Sequence, residues 1–336
     1  MAVLSFRRKV LILGAIIAVL ATAYVLGLVF SPARMGRREA ETPLLPDFNR
    51  DQRDLAAAVE LSGEEGSLKL VKKGESWVLP GGAREYPASR SRIDAFFQFL
   101  AQMKRTRVVT DNPETWPDFG VGDEARRRIR LLDEAGNILT DIIIGKAATG
   151  GGDDYVRLGE SNEVVLSNRS FNYYFNVDDK FWSYLRIFPE DLEGQSLMRI
   201  SVDSEVIFQD DSPGPLDYTL VLDAEQRSLW RVAGQPQLPL DNAEVDLLTN
   251  NLTNLEAAEF AAAVDRAEAG LTDPAARILL STQDDKDFRL LIGGTAGEAQ
   301  LYVALEEGPY IYKVSEWRLK GILKSVDDLL EEQSQE

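Results

Sequence analysis

The sequence predicts an α+β fold: a tandem duplication of an antiparallel β-sheet unit with a helix packed on one face, preceded by one transmembrane helix. Three observations predict it. One phrase is written twice, YPASRSRIDAF at residues 86–96 and LPLDNAEVDLL at 238–248. Short strand-like segments bounded by turn residues follow each copy. Near the start, 21 residues (10–30) run without a charge.

The elements follow in order. Residues 1–9, with Arg7, Arg8 and Lys9, read as a short cytoplasmic tail. Residues 10–30, VLILGAIIAVLATAYVLGLVF, are long enough as a helix, at ~1.5 Å per residue, to cross a hydrocarbon core of ~30 Å. Ala21-Thr22-Ala23 resembles a cleavage site, but it lies inside the apolar run with YVLGLVF still to come. We therefore expect an uncleaved signal anchor. Arg34, Arg37 and Arg38 flank the far end, so the positive-inside rule favours an inside N-terminus only slightly. What tips the orientation is that the span opens the chain and a long acidic body follows. Residues 31–53, with Pro32, Pro43 and Pro46, read as a linker.

The first α+β repeat is expected at 54–170. GSLKLVKKGESWVLP (66–80) alternates around a Lys-Gly-Glu turn and predicts a hairpin. Ile93, Phe96, Phe97, Leu100 and Met103 then recur at helical spacing, one face of an amphipathic helix. An aromatic-rich bridge, partly helical, is expected at 171–196. The second repeat follows at 197–325 and an acidic tail at 326–336. Shifting by 152 places Pro87 on Pro239, Ile93 on Val245, Asp94 on Asp246, Phe96 on Leu248, Leu100 on Leu252 and Met103 on Leu255. Trp77 matches Trp230, Gly120 matches Gly270, Asp123 matches Asp273 and Gly145 matches Gly293. Asp241 and Glu244 have the spacing of a capping box, of which the first copy keeps only the cap, Ser89. Each unit thus reads as hairpin, helix and four short strands, with Glu134-Ala135-Gly136-Asn137 as one of the turns.

These residues carry a resemblance. The Trp strand, the helix after Pro87, VVTDNPETWPDFGVGD, the Ile-Ile-Ile-Gly-Lys strand and GGDDYVRLGESNEVVLS are together similar to the bacterial family called domain of unknown function 4340. Phe119-Gly120-Val121 stands where that family has a Tyr-Gly-Leu turn, a mild departure. The resemblance covers roughly residues 44–325, both copies. It implies one N-terminal anchor, an extracytoplasmic body and an accessory role beside an ABC-type export system of the gliding-motility kind. It implies no catalytic residue. With the span, it places the chain in the bacterial inner membrane, single-pass, with a periplasmic body.

Composition narrows the chemistry. The chain has no Cys and no His, which removes disulfides, thiolate sites, serine–histidine hydrolysis and His-ligated zinc. Residues 1–39 hold six basic side chains against Glu39, about +5; the whole chain is −18, so the remainder carries −23. So acidic a body repels phosphate backbones, and nucleic acid is excluded as a partner. Gly150-Gly151-Gly152-Asp153-Asp154 lacks the following helix or Lys of a phosphate loop and the alternating acids of a calcium loop, and reads as a hairpin connection. The acid clusters Asp178-Asp179, Asp210-Asp211 with Asp217, and Asp284-Asp285 with Asp287 fit no calcium motif and read as solvated loops. Glu85, Asp94, Asp123 and Glu190 sit beside helix starts or turns, where capping explains them more cheaply than acid–base catalysis.

Phe171, Tyr173, Tyr174, Phe175, Phe181, Trp182 and Tyr184 either seal the joint between repeats or form a contact patch. In the second case Tyr173, Tyr174 and Trp182 are the candidate partner-binding residues. The expected function is non-enzymatic and needs no cofactor or metal. The chain is expected to hold the bilayer through residues 10–30 and to scaffold ABC-type transporter subunits. The alternatives are a glycan- or peptide-binding module and a carboxylate-pair hydrolase.

Overall fold

The computed structural model describes residues 42–331 apart from 47, 49, 82–83, 126, 150, 209–212 and 224–228. The expected anchor at 10–30 lies outside the described residues. Among the described residues no helix is long and apolar enough to cross a membrane.

The chain folds as two compact units that part between Ser183 and Tyr184. Unit 1 is built on a ten-stranded antiparallel sheet. Its strands are β1 (Thr42–Pro43), β2 (Ala58–Ser62), β3 (Ser67–Lys73), β4 (Ser76–Gly81), β5 (Arg84–Pro87), β6 (Lys104–Thr110), β7 (Arg128–Leu132), β8 (Ile138–Ala147), β9 (Asp154–Leu158) and β10 (Val164–Ser167). They lie in the order β1-β6-β10-β9-β8-β7-β2-β3-β4-β5. Unit 2 has eight: β11 (Leu197–Ser204), β12 (Leu216–Leu222), β13 (Trp230–Val232), β14 (Glu259–Phe260), β15 (Ala276–Thr282), β16 (Asp287–Gly297), β17 (Gln300–Leu305) and β18 (Tyr312–Ser315). Their order is β14-β18-β17-β16-β15-β11-β12-β13. With β1 and β5 removed from unit 1, the two orders coincide strand for strand.

One long helix crosses each sheet, α1 (Arg90–Gln102) in unit 1 and α2 (Asn242–Thr253) in unit 2. Ser89 Oγ accepts the Arg92 N–H at 3.4 Å and Asp241 Oδ1 accepts the Ala243 N–H at 2.8 Å, so both residues cap their helices; the expected box with Glu244 does not close, because the Asp241 N–H bonds Leu329 O instead. Ile93, Phe96, Phe97 and Leu100 are buried on α1, and Val245, Leu248 and Leu252 on α2. Each helix ends by delivering a strand, β6 or β14, to the far side of its sheet, beside β10 or β18. Neither strand, nor central β2, belongs to the hairpin, helix and four strands read from the sequence. β6 reads KRTRVVT, whose basic residues hide any apolar alternation.

The opposite sheet face carries a smaller second core. Val121, Ile143 and Val164 form it in unit 1; Ala269, Leu271 and Leu291 do so in unit 2. Here the repeated glycines find their reason. Gly120 and Gly270 turn with φ of 72° and 69°. A Cβ on Gly145 would lie 2.1 Å from the Phe119 carbonyl oxygen, and one on Gly293 would lie 2.1 Å from that of Ala269. Only glycine lets the turn rest on the strand. The Phe119-Gly120-Val121 motif is thus a packing device.

Backbone bonds extend the duplication beyond the expected repeats. Leu44 N–H bonds Met103 O at 2.8 Å, and Ile187 N–H bonds Leu255 O at 2.9 Å. At the other end, Ser89 N–H bonds Trp182 O at 2.7 Å and Asp241 N–H bonds Leu329 O at 2.8 Å. The stretch expected as a bridge therefore divides: 171–183 closes unit 1, and 184–196 opens unit 2. Part of the expected acidic tail closes unit 2, with Leu329 fully buried in its core.

Candidate functional site

The two units differ where helix, sheet and opening segment meet. On α1, Phe97 points into this junction and packs on Phe48 and Trp77, with centroids 6.2 and 5.8 Å away. That aromatic trio seals the junction. By the helix shift the residue in place of Phe97 is Thr249; by the Leu44–Ile187 correspondence the residue in place of Phe48 is Asp191. Trp230 keeps the place of Trp77. The result is a cleft of about 640 Å³ in unit 2. Asp246, Thr249 and Asn250 of α2 form one wall, Glu190, Glu193 and Gly194 another, and Leu197, Leu222 and Trp230 the end of the sheet.

Buried threonines are tolerated on α2 because their hydroxyls bond back along the helix. Thr249 Oγ1 donates to Asp246 O and Thr253 Oγ1 to Thr249 O, each at 2.9 Å. Gly194 lies close by: a Cβ there would stand 3.0 Å from Thr249 Oγ1. Arg186 fixes the remaining wall. Its Nε donates to Thr253 O at 2.9 Å, Nη1 to Glu190 O at 3.2 Å and Nη2 to Leu192 O at 2.7 Å. These bonds are spent within the protein, and the acids Glu190, Glu193 and Asp246 outnumber this one cation, so the cleft is net negative. Chemically it offers carboxylates and amides beside an aromatic wall.

The aromatic stretch has a different fate. Trp182 is fully buried, donates Nε1–H to Asn176 O at 2.8 Å and meets Phe96 edge-on at 5.5 Å. As a partner contact this residue is corrected: its indole fills the core beneath α1 and its one donor is satisfied there. Phe171 belongs to the same core, so these two side chains finish unit 1. Tyr174 is half-buried, 4.9 Å from Phe99. Tyr173 alone of the three presents its ring to solvent, at 67 % exposure. Burial, and then neighbouring Asp178, raises the carboxyl pKa of Asp179 in the same segment.

The remaining candidates scatter. Glu85 pairs with Lys73, Asp94 with Arg90 and Asp123 with Arg157, each on a separate part of unit 1, while Glu190 lines the unit 2 cleft. The glycine-rich stretch connects β8 to β9, and Asp154 is fully buried, its Oδ2 accepting the Phe171 N–H at 2.8 Å. Asp210 and Asp211 lie outside the described residues. Among the described residues no group of three or more Asp or Glu side chains is placed to hold a metal ion. Sequence reading flagged Glu190, Asp246 and Trp230 separately but missed the cleft that gathers them. The available signal was one polar residue, Thr249, interrupting the apolar face in the second copy alone.

Comparison with known proteins gives relatives without an assigned activity. The family described as Domain of unknown function (DUF4340) matches residues 77–226 and again 230–334. Both matches begin on the Trp strand, so their frame is offset from the compact units. An uncharacterized protein of Treponema pallidum (strain Nichols) is 24 % identical over 140 residues, 42 % of this chain and 44 % of its own length. The chain thus spans less than half of that relative. No solved structure matches.

Proposed function

The chain belongs to the DUF4340 family, in which it carries two copies of the domain in tandem, and on that premise we propose that it is a non-catalytic binding and scaffolding protein. One observation carries this reading: unit 2 opens a polar cleft at the junction that unit 1 seals with Phe48, Trp77 and Phe97. Leaving out an aromatic side chain forgoes about 1.5–3 kcal/mol of burial. Departures of this kind from a well-filled core tend to mark functional sites. A membrane-anchored, periplasmic placement is supported by residues 10–30 and by the family resemblance. The same resemblance supports ABC-type transporter subunits as the partners.

The test is a mild-detergent pull-down from native membranes with three proteins: full-length chain, a version lacking residues 1–31, and Glu190→Lys/Asp246→Lys. The full-length chain is expected to retain transporter subunits, and the cleft variant to lose them. Identical recovery with the cleft variant removes the cleft from the function; no transporter subunit with any version removes the partner. A second reading, an acid-pair hydrolase, draws on the same carboxylates. Hydrolysis of envelope glycan that disappears in Asp246→Asn would replace binding as the function.

A further inference from the structure

Unit 1 carries a strand that unit 2 lacks. In unit 1 β5 pairs antiparallel with β4, setting Leu79 opposite Tyr86 and Gly81 opposite Arg84. The ladder closes at its base where the Ala88 N–H bonds Trp77 O at 2.9 Å. In unit 2 the matching hairpin is cut short. Gln235 N–H bonds Val232 O at 3.0 Å, and the Leu238 N–H then turns back onto Gln235 O at 3.1 Å. Leu240 pairs with Leu330 instead of returning along β13.

The consequence falls on Trp230. Leu222 faces Trp230, Val221 faces Arg231 and Leu220 faces Val232. Ala233 N–H bonds Thr219 O and Asp223 N–H bonds Leu229 O, both at 2.8 Å. In an antiparallel ladder, alternate residues point their N–H and C=O to opposite sides. Arg231 therefore bonds β12, and Trp230 directs its N–H and C=O outward, as Trp77 does toward Ala88. Among the described residues nothing bonds them. The rung left open belongs to a residue that lines the cleft.

Resting on the binding reading above, we infer that the unit 2 cleft takes an extended, basic peptide segment whose backbone pairs with Trp230, in the place that β5 occupies on unit 1. Strand addition to an unpaired edge supplies main-chain bonds, and a neighbouring pocket selects side chains. The pocket here is net negative, with Asp246 and Glu190 carrying no ion pair among the described residues. Lys or Arg side chains on the incoming strand meet those carboxylates. Unit 1 supplies the internal precedent for a strand at this edge: β5, whose Tyr86 packs on the core, while the net negative lining of the unit 2 cleft is what calls for basic side chains.

The test uses the full chain in detergent and three synthetic peptides. One alternates Lys and Val, one alternates Glu and Val, and the third is the Lys–Val peptide methylated on alternate backbone nitrogens. Binding is read by fluorescence anisotropy, and protection of the Trp230 amide by hydrogen exchange. The Lys–Val peptide is expected to bind and to protect Trp230. The Glu–Val peptide, the methylated peptide and the variant Asp246→Lys should each weaken binding about tenfold or more. Glu190→Lys is a second variant should Asp246→Lys disturb α2. Binding without Trp230 protection, or indifferent to methylation, overturns strand pairing and leaves a charged cleft. No Lys–Val binding, with transporter capture still dependent on Glu190 and Asp246, overturns the basic peptide but not the binding function. Loss of both overturns both.

Discussion

Unit 1 fills with aromatic rings the junction that unit 2 leaves open, and unit 2 does without the edge strand that unit 1 supplies for itself. Around those differences the strand order, the helix crossing and the glycine-cushioned turn are the same. The comparison teaches that this scaffold tolerates changes in what fills a junction but not in how its backbones approach. A side chain can be exchanged for open volume at a few kcal/mol. A carbonyl oxygen 2.1 Å from where a Cβ would stand cannot be accommodated without moving a strand.

The largest expected effect therefore lies in what the units share. Gly145→Ala and Gly293→Ala should each destabilise their own unit by on the order of 3 kcal/mol. Denaturant titration with hydrogen exchange on β8 and β16 would read this, and a unit that accepts alanine without loss would break the equivalence. Next comes the junction. Phe97→Thr gives unit 1 the residue of unit 2 and should cost about 3 kcal/mol. The reverse change, Thr249→Phe, should close the cleft and abolish peptide binding; it should gain less than Phe97→Thr loses, because Gly194 crowds that site. Retained binding in Thr249→Phe would place the ligand elsewhere.

A smaller difference concerns Arg157. Buried under the unit 1 turn, it donates Nε–H to Val121 O at 2.9 Å and stacks 3.7 Å from the Trp116 ring, whereas the matching residue in unit 2 is Ala304. Arg157→Ala should cost about 1–3 kcal/mol in unit 1. Protection of β9 that is unchanged in the variant would reduce the arginine to decoration.

The smallest effect is one of pH. The β7–β8 turn is closed by Asp133, which accepts the Asn137 N–H at 2.7 Å; the β15–β16 turn is closed by Thr282, which accepts the Lys286 N–H at 3.2 Å. The Asn137 side chain, then its backbone N–H, holds the Asp133 carboxyl below the usual carboxylate range. A depressed acid pKa stabilises above the unfolded value of ~3.9 and stops doing so as pH falls through the folded one. Asp179, raised by burial, works in the opposite sense and gains as pH falls. Local exchange at the unit 1 turn should quicken below about pH 4, the unit 2 turn should not respond, and Asp133→Thr should remove the difference. Equal acid sensitivity in both turns would show that Asp133 is not its source.

Much of this was legible in residue order. The buried faces of α1 and α2 follow from 3.6-residue spacing, and the paired glycines signalled a backbone approach shared by both copies. The site was less legible. Glu190 reads as a residue near a turn and Asp246 as a repeat of Asp94, and only the absent ring at Thr249 joins them. Trp182 misled in the other direction, because an aromatic-rich stretch looks the same whether its rings face a partner or their own core.

The sequence by itself determined the duplication, the helix faces, the caps and the turns, since each depends on neighbours within a few residues. Tertiary structure alone decided that β6 and β14 cross to the far side of their sheets, that 171–183 and 326–331 close their units, and that Trp230 keeps an open rung. Those outcomes depend on which distant segments compete for the same sheet edge and the same volume, and no local pattern encodes the result of that competition.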